Sequence, residues 1–222
     1  MQGSSDPNLS GDVPFVAMRG VLDVMDAGSR TIFGGSFDPP HMGHQLACLY
    51  LLEAFETSAV WLVPVRAHPG GKSLAPFEHR LEMCRHLAAP FSGRVQVLNI
   101  ESELSGGGRT YELLTHLRRR HPDALFRLAL GSDVLEKASG WYRWEDVKRL
   151  APIIPLARGG YAVGAAAPIN LPEISSSEVR HRVALGRSIQ GLVPRSILDY
   201  IHQHALYRLS PPKKMHRSKT DN

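Results

Sequence analysis

Residues 30–44, RTIFGGSFDPPHMGH, decide the fold of this 222-residue chain. They begin with a short apolar run, continue through two glycines and a proline-rich turn, and lead directly into a helical pattern. A strand followed at once by a glycine-rich turn and a helix is typical of the first βα unit of an open parallel sheet. Ligands of such sheets bind beyond the carboxyl ends of the strands, so this stretch also predicts where the site lies.

The same alternation of strand and helix continues along the chain. Four further apolar runs lie at residues 59–63, 95–100, 125–130 and 152–156. Helical patterns lie between the runs at residues 45–55, 76–88, 111–120 and 144–150. Two more helices are predicted to follow, one after a capping box of Ser175 and Glu178 and one beginning at Pro194. We therefore predict an α/β fold, a doubly wound, mostly parallel Rossmann-like sheet with C-terminal helices.

Composition divides the chain into three parts. Residues 1–29 are rich in Ser, Gly and Asp with weak periodicity and are predicted to be a poorly ordered extension. Residues 30–208 carry the periodic segments and form one predicted domain. Residues 209–222 are predicted to be a basic, disordered tail.

The net charge of +5 is concentrated at the C-terminus. Residues 208–222 hold five basic residues and one acid, so they contribute four of the five net charges. The remaining chain is nearly neutral and lacks the domain-wide basic footprint of a nucleic-acid-binding protein. Binding of nucleic acid as the main function is therefore disfavoured, and tail-driven RNA binding would reveal itself by strong salt dependence.

The sequence predicts a cytoplasmic protein. No apolar run approaches the ~20 residues of a membrane span, and the first residues lack the basic start and long apolar stretch of an export signal. Cys48 and Cys84 lie inside apolar helical patterns, so we expect reduced core thiols rather than a disulfide.

His41 and His44 carry the clearest chemical signal. They follow Gly34 and Gly35, which allow close approach of the backbone to a ligand, and they open a helix with Gly43 between them. A helix N-terminus offers N–H groups and partial positive charge to a phosphate, and two imidazoles there would stabilise charge that develops on a phosphoryl group. A zinc site is the alternative, but no third ligand lies nearby in the sequence.

A second motif, ISSSEVR at residues 174–180, is predicted at the start of a later helix. Its serines supply hydroxyl and N–H donors, and Arg180 lies about one turn into the helix, where a guanidinium can hold phosphate oxygens bidentately. The structural alternative is a serine cap followed by a solvated arginine.

With H-x-G-H and ISSSEVR in this order, the chain resembles the nucleotidyltransferase superfamily that includes class I tRNA synthetases and small adenylyl- and cytidylyltransferases. It is most similar to the bacterial nicotinate-nucleotide adenylyltransferases. The resemblance covers residues 30–208 and rests further on Gly131-Ser132-Asp133, the Trp141 segment, Arg158 and residues 192–208.

The resemblance implies that the phosphate of nicotinate mononucleotide attacks the α-phosphorus of ATP, giving nicotinate adenine dinucleotide and pyrophosphate. It implies Mg²⁺ bridging the phosphates, with no protein ligand to a metal predicted. The catalytic residues that it implies are His41, His44, Arg180 and Lys72. The implied ATP-binding residues are Gly34, Gly35, Ser36, Phe37, His41, His44, Gly131, Asp133, Ile174, Ser175, Ser176, Ser177 and Arg180. The implied nicotinate mononucleotide-binding residues are Ser36, Phe37, Lys72, Thr110, Tyr111, Glu112, Trp141 and Arg158.

Four of these residues have competing roles in the sequence. Asp133 is either a ribose ligand at a strand end or a helix N-cap. Lys72 follows a loop that departs from the Pro-Pro-His run of similar enzymes, so it is either a phosphate ligand or a plain loop lysine. Trp141 is favoured over Trp144 as the residue that stacks on the pyridine, with Trp144 predicted in the core. Glu112 stands where similar enzymes have Thr, and we expect it to point outward, which favours nicotinate over nicotinamide.

Two other functions remain open at this level. One is another small transferase of the superfamily, such as phosphopantetheine adenylyltransferase, and the other is a nucleotide-sensing module without catalysis. The expected partners are ATP and nicotinate mononucleotide and no membrane, while homo-oligomerisation is left open.

Overall fold

The computed structural model describes residues 28–55, 57–67, 71–100, 103–104, 109–157 and 171–209. The strands are β1 (Arg30–Gly35), β2 (Ala59–Pro64), β3 (Val95–Val97), β4 (Phe126–Gly131) and β5 (Ile153–Leu156). The α-helices are α1 (Met42–Ala54), α2 (Phe77–Ala88), α3 (Thr110–Arg120), α4 (Ser132–Leu135), α5 (Trp144–Leu150), α6 (Ser176–Ala184) and α7 (Arg195–Gln203). Two 3₁₀ turns lie at Ala89–Phe91 and Ala138–Gly140.

The five strands form one parallel sheet in the order β3-β2-β1-β4-β5. In register, Ile32 of β1 lies between Trp61 of β2 and Leu128 of β4. Strand order reverses at β1 and β4, which is the switch point where open α/β sheets bind their ligands. The predicted α/β fold is confirmed.

Helices cover both faces of the sheet because successive residues of each strand point to opposite sides. Phe33 belongs to a core cluster with residues of α1, α2, α6 and α7. Ile32, its neighbour in β1, belongs to a second cluster with residues of α3 and α5. Because both faces of the sheet are buried, the strand sequences are nearly continuous apolar runs.

The structure departs from the predicted elements at a few places. Strand β3 ends at Val97 rather than residue 100, because it is an edge strand with β2 as its partner. Helix α4 and the two 3₁₀ turns have no clear signal in the sequence. The predicted capping box is half formed: Ser175 Oγ accepts the N–H of Glu178 at 3.1 Å, but the Glu178 carboxylate accepts from Arg182 instead.

Cys48 and Cys84 are free and buried, which confirms that they are core thiols. Burial raises the pKa of Cys48 to about 12 and that of Cys84 well above its usual value, so both stay protonated. In the part of the chain that the structure describes, no helix combines the length and the apolar character that a membrane crossing requires.

Candidate active site

A cavity of about 300 Å³ opens at the carboxyl edge of the sheet, where β1 and β4 lie side by side. The end of β1, the first turn of α1, the β4–α4 junction and the start of α6 form its wall. The predicted residues on this wall are Gly34, Gly35, Ser36, His41, His44, Lys72, Gly131, Asp133, Ser176, Ser177 and Arg180. The fold thus brings together two motifs that are far apart in the sequence.

His41 and His44 stack on each other at the start of α1, with ring centroids 3.7 Å apart. His41 is 2% exposed, whereas His44 is only half-buried. The backbone N–H of His41 donates to Nδ1 of His44 at 3.1 Å. A neutral His44 ring therefore carries its proton on Nε2, which makes that nitrogen a donor on a ring that lines the cavity.

Gly43 lies between the two histidines and leaves little room for a side chain beside the His41 ring. A Cβ at Gly43 would lie 3.1 Å from Cε1 and Nδ1 of His41, closer than ordinary van der Waals contact. A side chain at this position would crowd the His41 ring, which favours glycine between the two histidines.

Phe37 supports the histidines from behind and does not lie on the cavity wall. Its φ of 45° turns the ring into the core, edge-on to Phe33 at 5.6 Å and to His44 at 5.0 Å. Gly35 makes room for this ring, since a Cβ there would lie 3.2 Å from it. The Phe37 ring therefore packs against the His44 ring, and the predicted nucleotide binding by Phe37 stays a prediction.

The start of α6 is tied to the turn after β1. Ser176 Oγ donates to the carbonyl of Pro39 at 2.8 Å, and Arg180 Nη1 donates to the carbonyl of Asp38. Arg180 Nη2 donates to Ser177 Oγ at 3.2 Å, and Lys72 Nζ approaches the same hydroxyl at 3.5 Å. Two cationic groups thus converge on one point of the cavity wall, as phosphate binding requires. We call His41, His44, Lys72, Ser177 and Arg180 the phosphate half of the site.

Asp38 lies in the proline-rich turn after β1, and its contacts were not predicted from the sequence. Its carboxylate is 2% exposed and lies on the cavity wall. Oδ1 accepts from the Tyr207 hydroxyl at 2.8 Å and from the Ala75 N–H at 3.3 Å, and Oδ2 lies 3.6 Å from Arg180 Nη1. A buried carboxylate with three partners anchors the turn, the loop before α2 and α6 to one another.

Arg80 is a second residue whose contacts were not predicted from the sequence. It is 1% exposed and donates to four backbone carbonyls, those of Ser36, Val65, Arg66 and Ala75, at 2.7–3.1 Å. Its guanidinium therefore holds the turn after β1 against the loop after β2. The sequence contained one indication of this role. Arg80 lies on the apolar face of α2, where a charged side chain must find buried partners.

Asp133 lies on the cavity wall in the short helix α4, two residues after the end of β4. Its Oδ1 is buried and has no hydrogen-bond partner among the described residues. An unpaired acceptor in a ligand-sized cavity suits a ribose hydroxyl.

The residues predicted to hold the pyridine are not on the wall of this cavity. Trp141 and Tyr111 pack at the edge of the core cluster on the α3/α5 face, half-buried. Arg143 lies 4.2 Å from the centre of the Tyr111 ring and Arg109 lies 4.7 Å from that of Tyr142. We call Arg109, Tyr111, Trp141, Tyr142 and Arg143 the aromatic cluster.

Trp144 contacts Trp141 edge to face, with ring centroids 5.8 Å apart, and is also half-buried. It packs against the same core cluster as Trp141 and is not fully buried, so burial does not separate the two tryptophans.

Glu112 differs from the solvated first-turn acid that we expected. Its side chain is 28% exposed, and Oε1 lies 3.9 Å from Arg109 Nη1. Oε2 is buried without a hydrogen-bond partner among the described residues. The first turn of α3 therefore presents a half-buried carboxylate beside an arginine, next to Thr110 at the helix start.

Three predicted site residues remain. Ile174 and Ser175 do not lie on the cavity wall, and Ser175 instead caps α6. Arg158 lies outside the described residues. Within the described ranges, no group of three or more His, Cys, Asp or Glu side chains could hold a metal ion.

Comparison with known proteins shows the family of this chain. The cytidylyltransferase-like family model matches residues 32–182. The "Probable nicotinate-nucleotide adenylyltransferase" of Anaeromyxobacter dehalogenans is 46% identical over 187 residues, covering 82% of this chain and 99% of its own. The protein of the same designation from Myxococcus xanthus is 38% identical over 178 residues, covering 80% and 94% of the two chains.

Solved structures are similar in fold as well. The nicotinic acid mononucleotide adenylyltransferase of Plasmodium falciparum, complexed with NaAD, superposes with a TM-score of 0.71 at 26% identity. The match covers 81% of this chain and 97% of that one. A second structure of the Plasmodium enzyme, complexed with APC, has a TM-score of 0.69 over the same coverage.

Proposed function

The chain belongs to the nicotinate-nucleotide adenylyltransferase family within the cytidylyltransferase-like group, and we propose that it performs that family's reaction in the cavity described above. Nicotinate mononucleotide and ATP are joined to nicotinate adenine dinucleotide, with release of pyrophosphate. The observation that carries the proposal is the convergence of the stacked His41–His44 pair with Arg180 and Lys72 on one cavity.

The phosphate half performs the transfer by positioning and charge stabilisation. The mononucleotide phosphate attacks the α-phosphorus of ATP in line, and no side-chain nucleophile is needed. His44, and His41 behind it, meet the negative charge that builds on the α-phosphate. Arg180 and Lys72 hold the β- and γ-phosphates, which leave as pyrophosphate.

The edge of β1 and the β4–α4 junction hold the nucleosides. The backbone of residues 34–36 lets the two substrates approach each other closely, because two of its three residues are glycines. Asp133 accepts a hydrogen bond from a ribose hydroxyl, which would satisfy its buried Oδ1.

The residues present fit a magnesium ion that enters with ATP. The cavity wall carries two carboxylates, Asp38 and Asp133, and Asp38 already has three protein partners. Phosphate oxygens and water would therefore be the main ligands, with Asp133 as the protein group available to them. When bound, Mg²⁺ neutralises charge on the phosphates.

The aromatic cluster is proposed to receive the pyridine. Trp141 offers a flat ring for stacking, and the first turn of α3 offers N–H groups to the nicotinate carboxylate. Arg109 and Arg143 lie over the rings of this cluster, each also beside an acid, Glu112 and Asp146, and Arg109 is the cation that we propose attracts the nicotinate carboxylate.

We also propose that the protein works in the cytoplasm. The support is that both cysteines are buried, free thiols, as is usual in reducing compartments.

A pyrophosphate-release assay tests the function. ATP is offered with nicotinate mononucleotide, nicotinamide mononucleotide or phosphopantetheine in turn, with Mg²⁺ present throughout. Release is expected with nicotinate mononucleotide as the best acceptor. Highest release with phosphopantetheine would identify a different transferase, and binding of ATP with no release for any acceptor would identify a sensor.

A further inference from the structure

Tyr207, near the far end of the described chain, contacts Asp38, the carboxylate beside Arg180 of the phosphate half. Its hydroxyl donates to Asp38 Oδ1 at 2.8 Å. Burial, and then the neighbouring Asp38 carboxylate, raise the pKa of Tyr207 well above its usual value. The hydroxyl therefore stays protonated and remains a donor at every pH at which the enzyme works.

The end of α7 is shaped to deliver this side chain. The N–H of Leu206 donates to the Ile201 carbonyl at 3.1 Å and that of Ala205 to the His202 carbonyl at 3.3 Å, around Ala205 with a φ of 51°. This is the Schellman pattern, in which the chain turns back on the helix it leaves. Tyr207 itself has a φ of 62°, so two residues with a Cβ adopt the left-handed region that favours glycine.

Arg180 contacts Asp38 with one nitrogen only. Nη1 donates to the Asp38 carbonyl and lies 3.6 Å from Oδ2, while Nη2 donates to Ser177 Oγ on the cavity wall. A carboxylate with both oxygens available pairs with a guanidinium through two parallel hydrogen bonds. Here Tyr207 and the Ala75 N–H occupy Oδ1, so that closed pairing does not form.

We propose that Tyr207 is a positioning residue for Arg180. By holding Oδ1 of Asp38, its hydroxyl keeps Asp38 a one-oxygen partner and leaves Nη2 of Arg180 turned toward the triphosphate of ATP. The segment from Ala205 to Tyr207 thereby belongs to the ATP site although it lies beyond the last helix. This inference rests on the proposed function.

The test is Tyr207→Phe, which removes one hydroxyl and keeps the ring. KM for ATP and the Kd of ATP measured by calorimetry are expected to rise about tenfold, the usual effect of losing a hydrogen bond to a charged group. KM for nicotinate mononucleotide is expected to change little. The melting temperature is expected to fall by a few degrees, because a buried hydrogen bond to a carboxylate is lost. Equal losses for both substrates, or unchanged ATP binding, would overturn the proposal.

A double-mutant cycle separates positioning from a structural role. Because Tyr207 acts through Arg180, Tyr207→Phe is expected to change the Kd of ATP by less than about twofold in an Arg180→Ala background. A change as large as in the wild-type background would mean that Tyr207 acts by another route.

Tyr200→Phe is the matched control. It removes a hydroxyl from α7 that lies 3.0 Å from His79 Nδ1, and Tyr200 does not line the cavity. ATP binding is expected to be unchanged. An ATP-selective loss in this variant would overturn the specificity claimed for Tyr207.

Asp38→Asn keeps the proposal testable should Tyr207→Phe fail to fold. The amide can still accept from Tyr207 but no longer attracts Arg180, so the same selective weakening of ATP binding is expected. Unchanged binding would contradict the proposal. Calorimetry with ATP alone needs no turnover, so the Kd of ATP can be compared between wild type and variants even if the enzyme is inactive. A wild-type enzyme that releases no pyrophosphate would overturn the proposed function and leave the test of Tyr207 intact.

Discussion

The phosphate half and the aromatic cluster are built in opposite ways. Apart from the exposed Lys72, the charged and aromatic side chains of the phosphate half are held by the protein: Arg180 donates to the Asp38 carbonyl, and His41 stacks on His44. In the aromatic cluster, the contacts are ring and cation–π contacts between exposed or half-buried neighbours, such as Arg109 over Tyr142. The first arrangement is fixed before a ligand arrives, and the second can adjust to one.

This difference matches the two tasks of the enzyme. Charge that develops during transfer is stabilised best by groups that need not reorganise. Nicotinate and nicotinamide differ in one substituent, a carboxylate or an amide. Discrimination between them relies instead on the local charges near that substituent, here those of Arg109 and Glu112. Substitutions in the two regions should therefore affect different kinetic constants.

The largest effect is expected from His44→Ala, which removes the Nε2–H group that we propose donates to the α-phosphate. We predict that kcat falls by roughly 10²–10³, the usual contribution of one preorganised charge-stabilising donor. Loss of the acceptor for the His41 N–H should lower the free energy of unfolding by only about 1 kcal/mol. Steady-state kinetics and thermal melting measure both. His79→Ala, on α2 and outside the cavity wall, is the control, and near wild-type turnover in His44→Ala would remove His44 from the mechanism.

The aromatic cluster is tested by the choice of pyridine. We predict that kcat/KM for nicotinate mononucleotide exceeds that for nicotinamide mononucleotide by about 10² or more at equal salt and pH, within reach of one charge-assisted contact. The physical reason is an anion at the start of α3 beside Arg109, whose guanidinium partly offsets the half-buried Glu112 carboxylate.

Glu112→Thr and Glu112→Gln sharpen this comparison. If the wild-type enzyme shows equal values, or a nicotinamide preference that reverses in these variants, then Glu112 faces the ring and the predicted substrate preference is wrong. In either case KM for ATP should stay the same, since Glu112 does not line the cavity.

A smaller effect is expected from Arg180→Lys, which keeps the charge and loses the planar fork. We predict that kcat/KM for ATP falls by about tenfold, because an ammonium group cannot contact Asp38 and the triphosphate in parallel. The pyridine preference should not move. Wild-type kinetics in Arg180→Lys would mean that the fork geometry is not used.

The smallest effect is expected from deleting residues 211–222. This removes four basic residues, Lys213, Lys214, Arg217 and Lys219, and no periodic apolar segment. Activity and melting temperature should barely change. A deletion of residues 206–222 is the contrast, because it also removes Tyr207, and it should weaken ATP binding. A large loss already in the shorter deletion would show that the tail contributes to the folded enzyme.

The sequence predicted the parts of the site that follow from local pattern. Strand ends, glycines and helix starts are adjacent along the chain, so residues such as Gly34, His44 and Ser177 could be placed on one edge of the sheet before the structure was known. The Asp38, Arg80 and Tyr207 contacts could not be predicted, because each joins segments that only the tertiary fold brings together. Of the three residues, only Arg80 is indicated by the sequence pattern, as a charged residue on the apolar face of a helix.

The aromatic cluster was predicted less well for a related reason. Trp141 and Trp144 are three residues apart and half-buried to similar degree, so neither pattern nor burial separates them. Glu112 was expected in solvent on the basis of its first-turn position, but the packing of α3 covers one of its oxygens.

Helix α1 begins without a serine, threonine, aspartate or asparagine cap, and the His44 ring accepts the N–H of His41 instead. His44 therefore closes the first turn of α1 in addition to the role in turnover that we propose for it. A descendant that lost the reaction would still gain stability from keeping this histidine. The retention of His44 in a related chain is thus weak grounds for calling that chain an active enzyme. Retention of Lys72, an exposed side chain that lies 3.5 Å from Ser177 Oγ and ties no helix start to another segment, is the better criterion for separating working members of the family from pseudoenzymes.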